Sequence, residues 1–500
     1  MSESPYDDPK ALKAGARAAG LHVTSKLATS FIGLAIIFVL TRLLAKDDFG
    51  RFALLYGLYD VLEMLLALGI PASVLFLIPL EGRKKARSIG FGSALLLTGV
   101  GLLAGGVLAL AAPWIGGWVD GDSGGSFTTL VRWLGLYVAL ALPGGLISPY
   151  LLATDRPGWA LIYTTSHQIL RLVSVMVPAF MGKPIETIVV CFVASGVVPM
   201  VCTWFLVLVI ERGTELRLVG AHIRKQLSYG MPFAVSLGVG KINRWLDKYI
   251  VGILMPMNAV AVYGVCSREL PVVSDVPHGS TTALIPILTR CHAAGDKQRF
   301  VEIWQALMSK TALLMFPIFA MSFVMAPEMI TVLFTDAYLD GTNIFRMYLL
   351  LMPLRLCIYG GILRALGDTK YFMKVMLAVT ALNVVGNFAL FEWIGWTGPA
   401  LSSVLTHALT VILLIGYAGK LLHRSAFTIF PWLWLLRVAV LAGLSTVPLF
   451  FLPLDDQGAG LRLGVGLAVY VLGYLGLGLL SKTLRGDDLR YLVRMFRKKA

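Results

Sequence analysis

Charge is scarce in this 500-residue chain. Only 14% of its residues are Asp, Glu, Lys or Arg, against about 25% in an ordinary soluble domain, and 43 basic residues outnumber 28 acidic ones. Motifs that carry chemistry are missing as well. No GxxxxGKS/T loop occurs, so no ATPase is built into the chain. The seven histidines form no HExxH or comparable metal pair, and no GxSxG elbow marks a nucleophile. No cofactor is expected. Cysteine is limited to Cys191, Cys202, Cys266, Cys291 and Cys357. An odd count without a CxxC pair reads as small packing residues, not as disulfides or a metal centre. The first twenty residues are polar, and the apolar run after them is too long for the core of a cleavable signal. No loop is long enough to form a domain outside the apolar runs.

What remains is apolar. Hydrophobic residues make up 57% of the chain and the mean hydropathy is +0.78. Blocks of about 20 apolar residues recur, each able to cross a hydrocarbon core of about 30 Å. The expected fold is an all-α polytopic membrane protein of about fourteen spans, at approximately 20–44, 52–80, 88–113, 127–152, 158–180, 185–210, 225–253, 257–288, 303–325, 343–363, 371–391, 396–419, 431–452 and 461–481. Connections on one side hold 27 cations, including Arg83, Lys84, Lys85, Arg224, Lys225 and seven after residue 481; those on the other hold 4. The positive-inside rule therefore places both termini in the cytoplasm. It also explains the net charge of +15 without nucleic acid. The tail LRYLVRMFRKK spaces Leu489, Leu492, Val493 and Phe496 as on one helix face, which suits the inner membrane surface.

The stretch IRKQLSYGMPFAVSLGVGKINRWLDKYIVG (223–252) breaks the apolar rule. Lys241, Arg244 and Lys248 lie within an arc of about 60° on one helix face. One charge at the bilayer centre costs at least about 2.5–3.5 kcal/mol on insertion scales, so three on one stripe require water or a counter-charge. One reading has them near the membrane surface, snorkelling to headgroups. The reading followed here is the cationic wall of a water-filled cavity that receives an anionic substrate. Lys26, Arg171, Arg268 and Arg355 also lie deep in their runs and join this candidate set. Intramembrane acids are Asp60, Glu63, Asp247, Glu269 and Asp275. Asp60 and Glu63, one turn apart, are placed to pair with Lys26 or to bind a coupling cation, pairing being favoured because lone carboxylates in a membrane are usually neutralised. Asp247, three residues after Arg244, is placed to orient it, and Asp275 is a further pairing or coupling candidate. Gly69-Ile70-Pro71, Gly230-Met231-Pro232 and Pro271, Pro277 and Gly279 mark expected kinks or hinges.

The chain carries a weak internal repeat. A shift of 211 residues lays LLAKDDFGRFA (43–53) over LMPMNAVAVYG (254–264). Six spans separate the copies, so both have one orientation, as in parallel repeats. The expected organisation is a cytoplasmic segment 1–19, a first lobe 20–215, a second lobe 216–424, two appended spans in 425–481 and a basic cytoplasmic tail 482–500.

Three blocks resemble a known family. They are TRLLAKDDFGRFALLYGLYDVLEMLLALGIPASV with Gly50 and Gly69; the 223–252 stretch through Asp247-Lys248-Tyr249-Ile250-Val251-Gly252, continuing AVYGVCSREL to Pro286; and RALGDTKYFMKV with NVVGNFALFEWIGWTGPALSS, holding Gly367, Asn383, Asn387, Gly395 and Gly398. Spread over about 400 residues, they resemble the polysaccharide-transporter branch of the exporter superfamily that also contains drug/cation antiporters and the lipid II flippase. The resemblance implies an O-antigen-type flippase, not an enzyme. It would move oligosaccharide on a polyprenyl pyrophosphate carrier across a bacterial inner membrane, with two six-helix lobes, alternating access and a cationic central cavity. Membrane lipids, and a glycan polymerase or chain-length machinery, are the partners it implies. Lys241 and Arg244 are additional to the family pattern. The alternative is a cation-coupled multidrug or lipid II type exporter of the same superfamily; a multidrug exporter would present carboxylates, which the excess of deep cations opposes. A membrane glycan polymerase, ligase or glycosyltransferase is opposed by the short outer loops.

Overall fold

The computed structural model describes residues 33, 35–120, 126–154, 156–210, 216–268, 277, 281, 284, 285, 288, 289, 291–451 and 457–484. Lys26, Glu269, Asp275 and the tail from residue 485 lie outside the described residues. Among the described residues every regular element is helical. A helix meets all its internal backbone hydrogen bonds within one segment, which lipid demands. The protein is an all-α, multi-pass membrane protein.

Eight helical stretches among the described residues are long and apolar enough to cross a membrane, where about fourteen spans are expected from the sequence. One stretch, Lys370–Leu422, contains two helices joined by a short turn. Three further helices have the length without the apolarity: α1 (Lys46–Leu66), α6 (Pro157–Phe180) and α9 (Gly220–Leu254). These three hold Asp60 and Glu63, Arg171, and Lys241, Arg244, Asp247 and Lys248.

Contacts divide the chain after Gly264. In the first unit, α1 opens with Asp47 and Asp48 in its first turn, where carboxylates favour the helix dipole. It stops because Leu68 (φ 51°) and Gly69 (φ 68°) are both left-handed. Pro71 in the first turn then starts α2 (Ile70–Glu81). The expected Gly-Pro kink is therefore a full break. Beyond a short turn, α3 (Ala86–Asp120) and α4 (Ser126–Ala141) pack closely. A Cβ on Gly135 would sit 2.5 Å from the Gly105 carbonyl oxygen, the small-residue approach usual in membranes. The chain continues through α5 (Ile147–Ala153), α6, α7 (Ile185–Ser195) and α8 (Val197–Phe205). A core of Ile70, Val74, Ile78, Ile89, Leu97, Leu146, Tyr150 and Val207 joins α2, α3 and α5.

Helix α9 runs unbroken through Gly230-Met231-Pro232, so the expected interruption there does not occur. Its 35 residues span about 52 Å at 1.5 Å per residue, more than the hydrocarbon core. It lies antiparallel along α1 and α2 for its whole length. Lys225 meets Glu81, Gly230 meets Gly69 backbone to backbone, and Gly238 seats Leu65. Lys241 then meets Asp60, Trp245 lies on Gly57, and Tyr249 and Gly252 meet Leu54. This seam is why the contact boundary falls after Gly264, whereas the repeat divides the sequence near residue 216. Beyond it, α10 (Met257–Cys266) begins 211 residues after α1, at 257 against 46. The two repeat copies therefore start helices in one register.

In the second unit the helices are α11 (Lys297–Val324), α12 (Ala326–Leu333), α13 (Thr342–Leu349), α14 (Leu351–Leu354), α15 (Tyr359–Ala365), α16 (Thr369–Ile394), α17 (Gly398–Leu422), α18 (Trp432–Leu444) and α19 (Ala459–Leu480). Asp296 and Asp368 cap α11 and α16 by accepting from Arg299 N and Tyr371 N. Buried Asn383 donates to Ser402 (3.2 Å) and Thr406 (3.0 Å), tying α16 to α17.

Candidate functional site

The polar side chains of the first unit form one connected array around α1. Tyr56, Tyr59, Asp60 and Glu63 are spaced three and four residues apart, which puts them on one face. Lys241, Arg244, Trp245 and Lys248 do the same on α9. Where the faces meet, the Lys241 ammonium pairs with Asp60 Oδ1 at 2.5 Å and also donates to the Asp60 carbonyl at 3.2 Å. Asp60 Oδ2 accepts from Trp245 Nε1 at 3.1 Å. A side chain at position 57 would overlap the Trp245 ring, so Gly57 is what lets the indole lie flat on α1.

Arg244, one turn further, is exposed and its guanidinium makes no ion pair among the described residues. Asp247 does not hold it, as the spacing had suggested. The Asp247 carboxylate is 2% exposed, accepts from Tyr263 OH (3.4 Å) and Lys248 N (2.8 Å), and pairs with the Lys248 ammonium at 3.5 Å. The Lys248 ammonium further donates to the Arg244 carbonyl (3.1 Å) and faces the Trp245 ring at 5.5 Å. Of the three-cation stripe, Lys241 and Lys248 are therefore each neutralised by one buried or half-buried carboxylate, and Arg244 is the cation without a carboxylate.

On α6, Arg171 enters the same array from another side. Its guanidinium carbon lies 5.4–5.7 Å from the ring centres of Tyr56, Tyr59 and Phe192, and one nitrogen donates to Tyr56 OH at 3.3 Å. Tyr137 completes the cage, 4.8 Å from Tyr59 and 4.2 Å from Phe192 between centroids. The cage is aromatic because a planar, weakly hydrated cation stacks on ring faces with little desolvation cost. Glu63 is close enough to act electrostatically on Arg171, yet makes no ion pair among the described residues. One turn before Arg171, His167 stacks on Tyr163 at 5.8 Å with Nε2 buried and unbonded.

At the end of α2, the Glu81 carboxylate bridges Lys85 (2.7 Å) and Lys225 (2.6 Å). Hydrogen bonds from Lys225, then Lys85, push its pKa down to about 2. Beside it, fully buried Gln226 donates to Ser93 at 2.7 Å. Together they fix the N-terminal end of α9.

The structure thus brings together Asp60, Glu63, Arg171, Lys241, Arg244, Asp247 and Lys248. Arg268 and Arg355 belong to the second unit and are half-buried. Lys26 and Asp275 lie outside the described residues. Among the described residues Asp60 pairs with Lys241; Lys26, the partner the sequence had suggested, lies outside them. Trp245, the tyrosine cage and the Glu81 clamp were not singled out from the sequence. Trp245 had a signal: it sits four residues after Lys241 on the charged face.

Comparison with known proteins agrees with this architecture. The profile of the family described as polysaccharide biosynthesis protein matches residues 16–292, and the MatE profile matches residues 242–389. A curated relative, the probable low-salt glycan biosynthesis flippase Agl15 of Haloferax volcanii, is 20% identical over 281 residues, covering 55% of this chain. The match spans 58% of that relative's length. Among solved structures, the lipid II flippase MurJ in an inward closed conformation superposes with a TM-score of 0.70 at 14% identity, covering 92% of this chain and 98% of MurJ. An inward-facing multidrug resistance MATE family transporter superposes with a TM-score of 0.62 at 13% identity, covering 80% and 98%. At these identities the structural likeness establishes the fold.

Proposed function

From the premise that this chain belongs to the polysaccharide biosynthesis protein family and is a transporter of the exporter superfamily, we propose that it is a flippase for oligosaccharide linked to a polyprenyl pyrophosphate. The observation that carries this reading is the placement of Lys241, Arg244 and Trp245 on one face of a membrane helix, with Arg171 caged nearby. Cations and an indole N–H in a low-dielectric setting are strong donors to phosphate oxygens. A cation-coupled drug exporter would instead need open carboxylates; Asp60 and Asp247 are both paired, and Glu63, which has no ion pair among the described residues, acts electrostatically on Arg171.

In this reading the lobes 20–215 and 216–424 alternate access, and Lys26, Arg268 and Arg355 are further candidate contacts for the anionic substrate. The chain sits in a bacterial inner membrane with both termini cytoplasmic. A glycan polymerase or chain-length machinery would take the product. Transport is driven by an ion gradient or the membrane potential, the latter worth about 2.3 kcal/mol per charge per 100 mV.

The test is reconstitution. Proteoliposomes holding a fluorescent lipid-linked oligosaccharide are probed with a leaflet-selective quencher. Translocation should require the protein and should fall at least about tenfold, a barrier of about 1.4 kcal/mol, in Lys241→Gln with Arg244→Gln. Transport of cationic drugs with no movement of the glycolipid would overturn the proposal.

A further inference from the structure

We infer that Asp60 is an internal stand-in for the substrate's anion, holding the donors that the carrier's pyrophosphate takes when it binds; this rests on the flippase reading above. Three observations carry it. Asp60 uses both carboxylate oxygens, one on the Lys241 ammonium (2.5 Å) and one on Trp245 Nε1 (3.1 Å). Two acceptor oxygens on one atom are also what a phosphate group offers, so the two ligands satisfy the same pair of donors. The pair is reachable: the Lys241 and Asp60 side chains are 16% and 27% exposed, unlike Asp247, whose side chain is 2% exposed. Finally, exposed Arg244 stands one turn from Lys241 without an ion-pair partner among the described residues, an unshared cation beside a shared one.

The exchange has a mechanical consequence. Asp60 supplies the ion pair between α1 and α9 midway along their seam. Above and below it the seam is held by Tyr249 donating to the Leu54 carbonyl (3.1 Å) and by the Gly69–Gly230 backbone contact. A phosphate that takes Lys241 and Trp245 releases α1 at that level and leaves Asp60 beside Glu63, a like charge one turn away that disfavours the released state. Binding of the anion and loosening of the seam become one event, because the ligand prefers the state in which Asp60 has let go. An ion pair with a purely structural role has no such competition with phosphate.

The experiment compares binding of farnesyl pyrophosphate to the full-length protein in lipid nanodiscs. Asp60→Asn, with the elution profile of the wild type, should bind about tenfold more tightly, as expected from removing a competing charged ligand. Lys241→Gln should bind weakly, and adding Lys241→Gln to Asp60→Asn should abolish the gain. Unchanged or weaker binding by Asp60→Asn would overturn the inference while leaving the flippase reading intact. No binding by wild type and variant alike would overturn both. Short-chain phosphatidylglycerol should show no gain; an equal gain would overturn the assignment to the carrier's headgroup in favour of any phospholipid. Infrared difference spectra of the wild type need no Asp60 variant. Farnesyl pyrophosphate, but not farnesol, should shift a carboxylate band, and Lys241→Gln should lack that shift. A wild-type spectrum with no carboxylate change would contradict the release of Asp60.

Discussion

Gly69 and Arg171 show how single residues set this architecture. Gly69 holds φ 68°, and a Cβ there would fall inside the Gly230 carbonyl. Gly69→Ala should therefore lower stability by about 2 kcal/mol or more, since backbone strain and a steric clash add. Thermal unfolding in detergent checks this, with Gly99→Ala as a control because a Cβ at Gly99 meets nothing within 4 Å. A Gly69→Ala protein as stable as the control would mean that α9 does not press on α2 there. Arg171 makes a different demand. Its cage of Tyr56, Tyr59 and Phe192 fits a flat guanidinium, so Arg171→Lys keeps the charge and loses the stacking, worth up to about 2 kcal/mol when desolvated. Transport by Arg171→Lys should fall nearly as far as that of Arg171→Gln at equal abundance. Full activity of the lysine variant would show that charge alone is used.

The helix pair of α9 with α1 and α2 explains which sequence signals carried through. The charged stripe of α9 was legible because a 3.6-residue period needs only one helix. The break at Gly69 was legible because Pro71 and Gly69 act on their own backbone. What Gly230-Pro232 does was not, because an isolated Pro only removes one bond, and whether a helix continues depends on its neighbours. Nor were the partners legible: Lys241 and Asp60 are 181 residues apart, and any of several acids had the right depth. The same holds at the N-terminal end of α9, where Lys225 reaches Glu81 across 144 residues. That clamp yields a pH prediction. The folded-state pKa of Glu81 is depressed from 4.5 to about 2. Its contribution is therefore complete above pH 4.5 and is lost as pH falls from there through about 2. Amide exchange at 220–226 should quicken over that window, and Glu81→Gln should show the fast exchange at neutral pH. Exchange that ignores both would rule the clamp out.

For the whole molecule, composition and the distribution of lysine and arginine state that it is helical, apolar and multi-pass, and the described helices agree. Length and apolarity mark eight spans among the described residues, against about fourteen expected from the sequence. Criteria of length and apolarity pass over α1, α6 and α9, the helices that hold Asp60, Arg171 and Lys241. Orientation follows from the charge asymmetry and has its own check. Cysteines placed near Ser123 and Gly458, after accessible native thiols are removed, should react with an impermeant thiol reagent from outside; cysteines near Lys84 and Ala294 should not. Labelling of the latter pair from outside would reverse the topology. The central claim is that this transporter moves a lipid-linked glycan, and depletion tests it most directly. When the protein is removed from the cell that carries it, a polyprenyl-pyrophosphate-linked oligosaccharide should accumulate on the cytoplasmic leaflet. Wild-type protein should clear it, and the Lys241→Gln, Arg244→Gln double variant at equal abundance should not. Unchanged lipid-linked glycan in both leaflets after depletion, or full clearance by the double variant, would contradict the account.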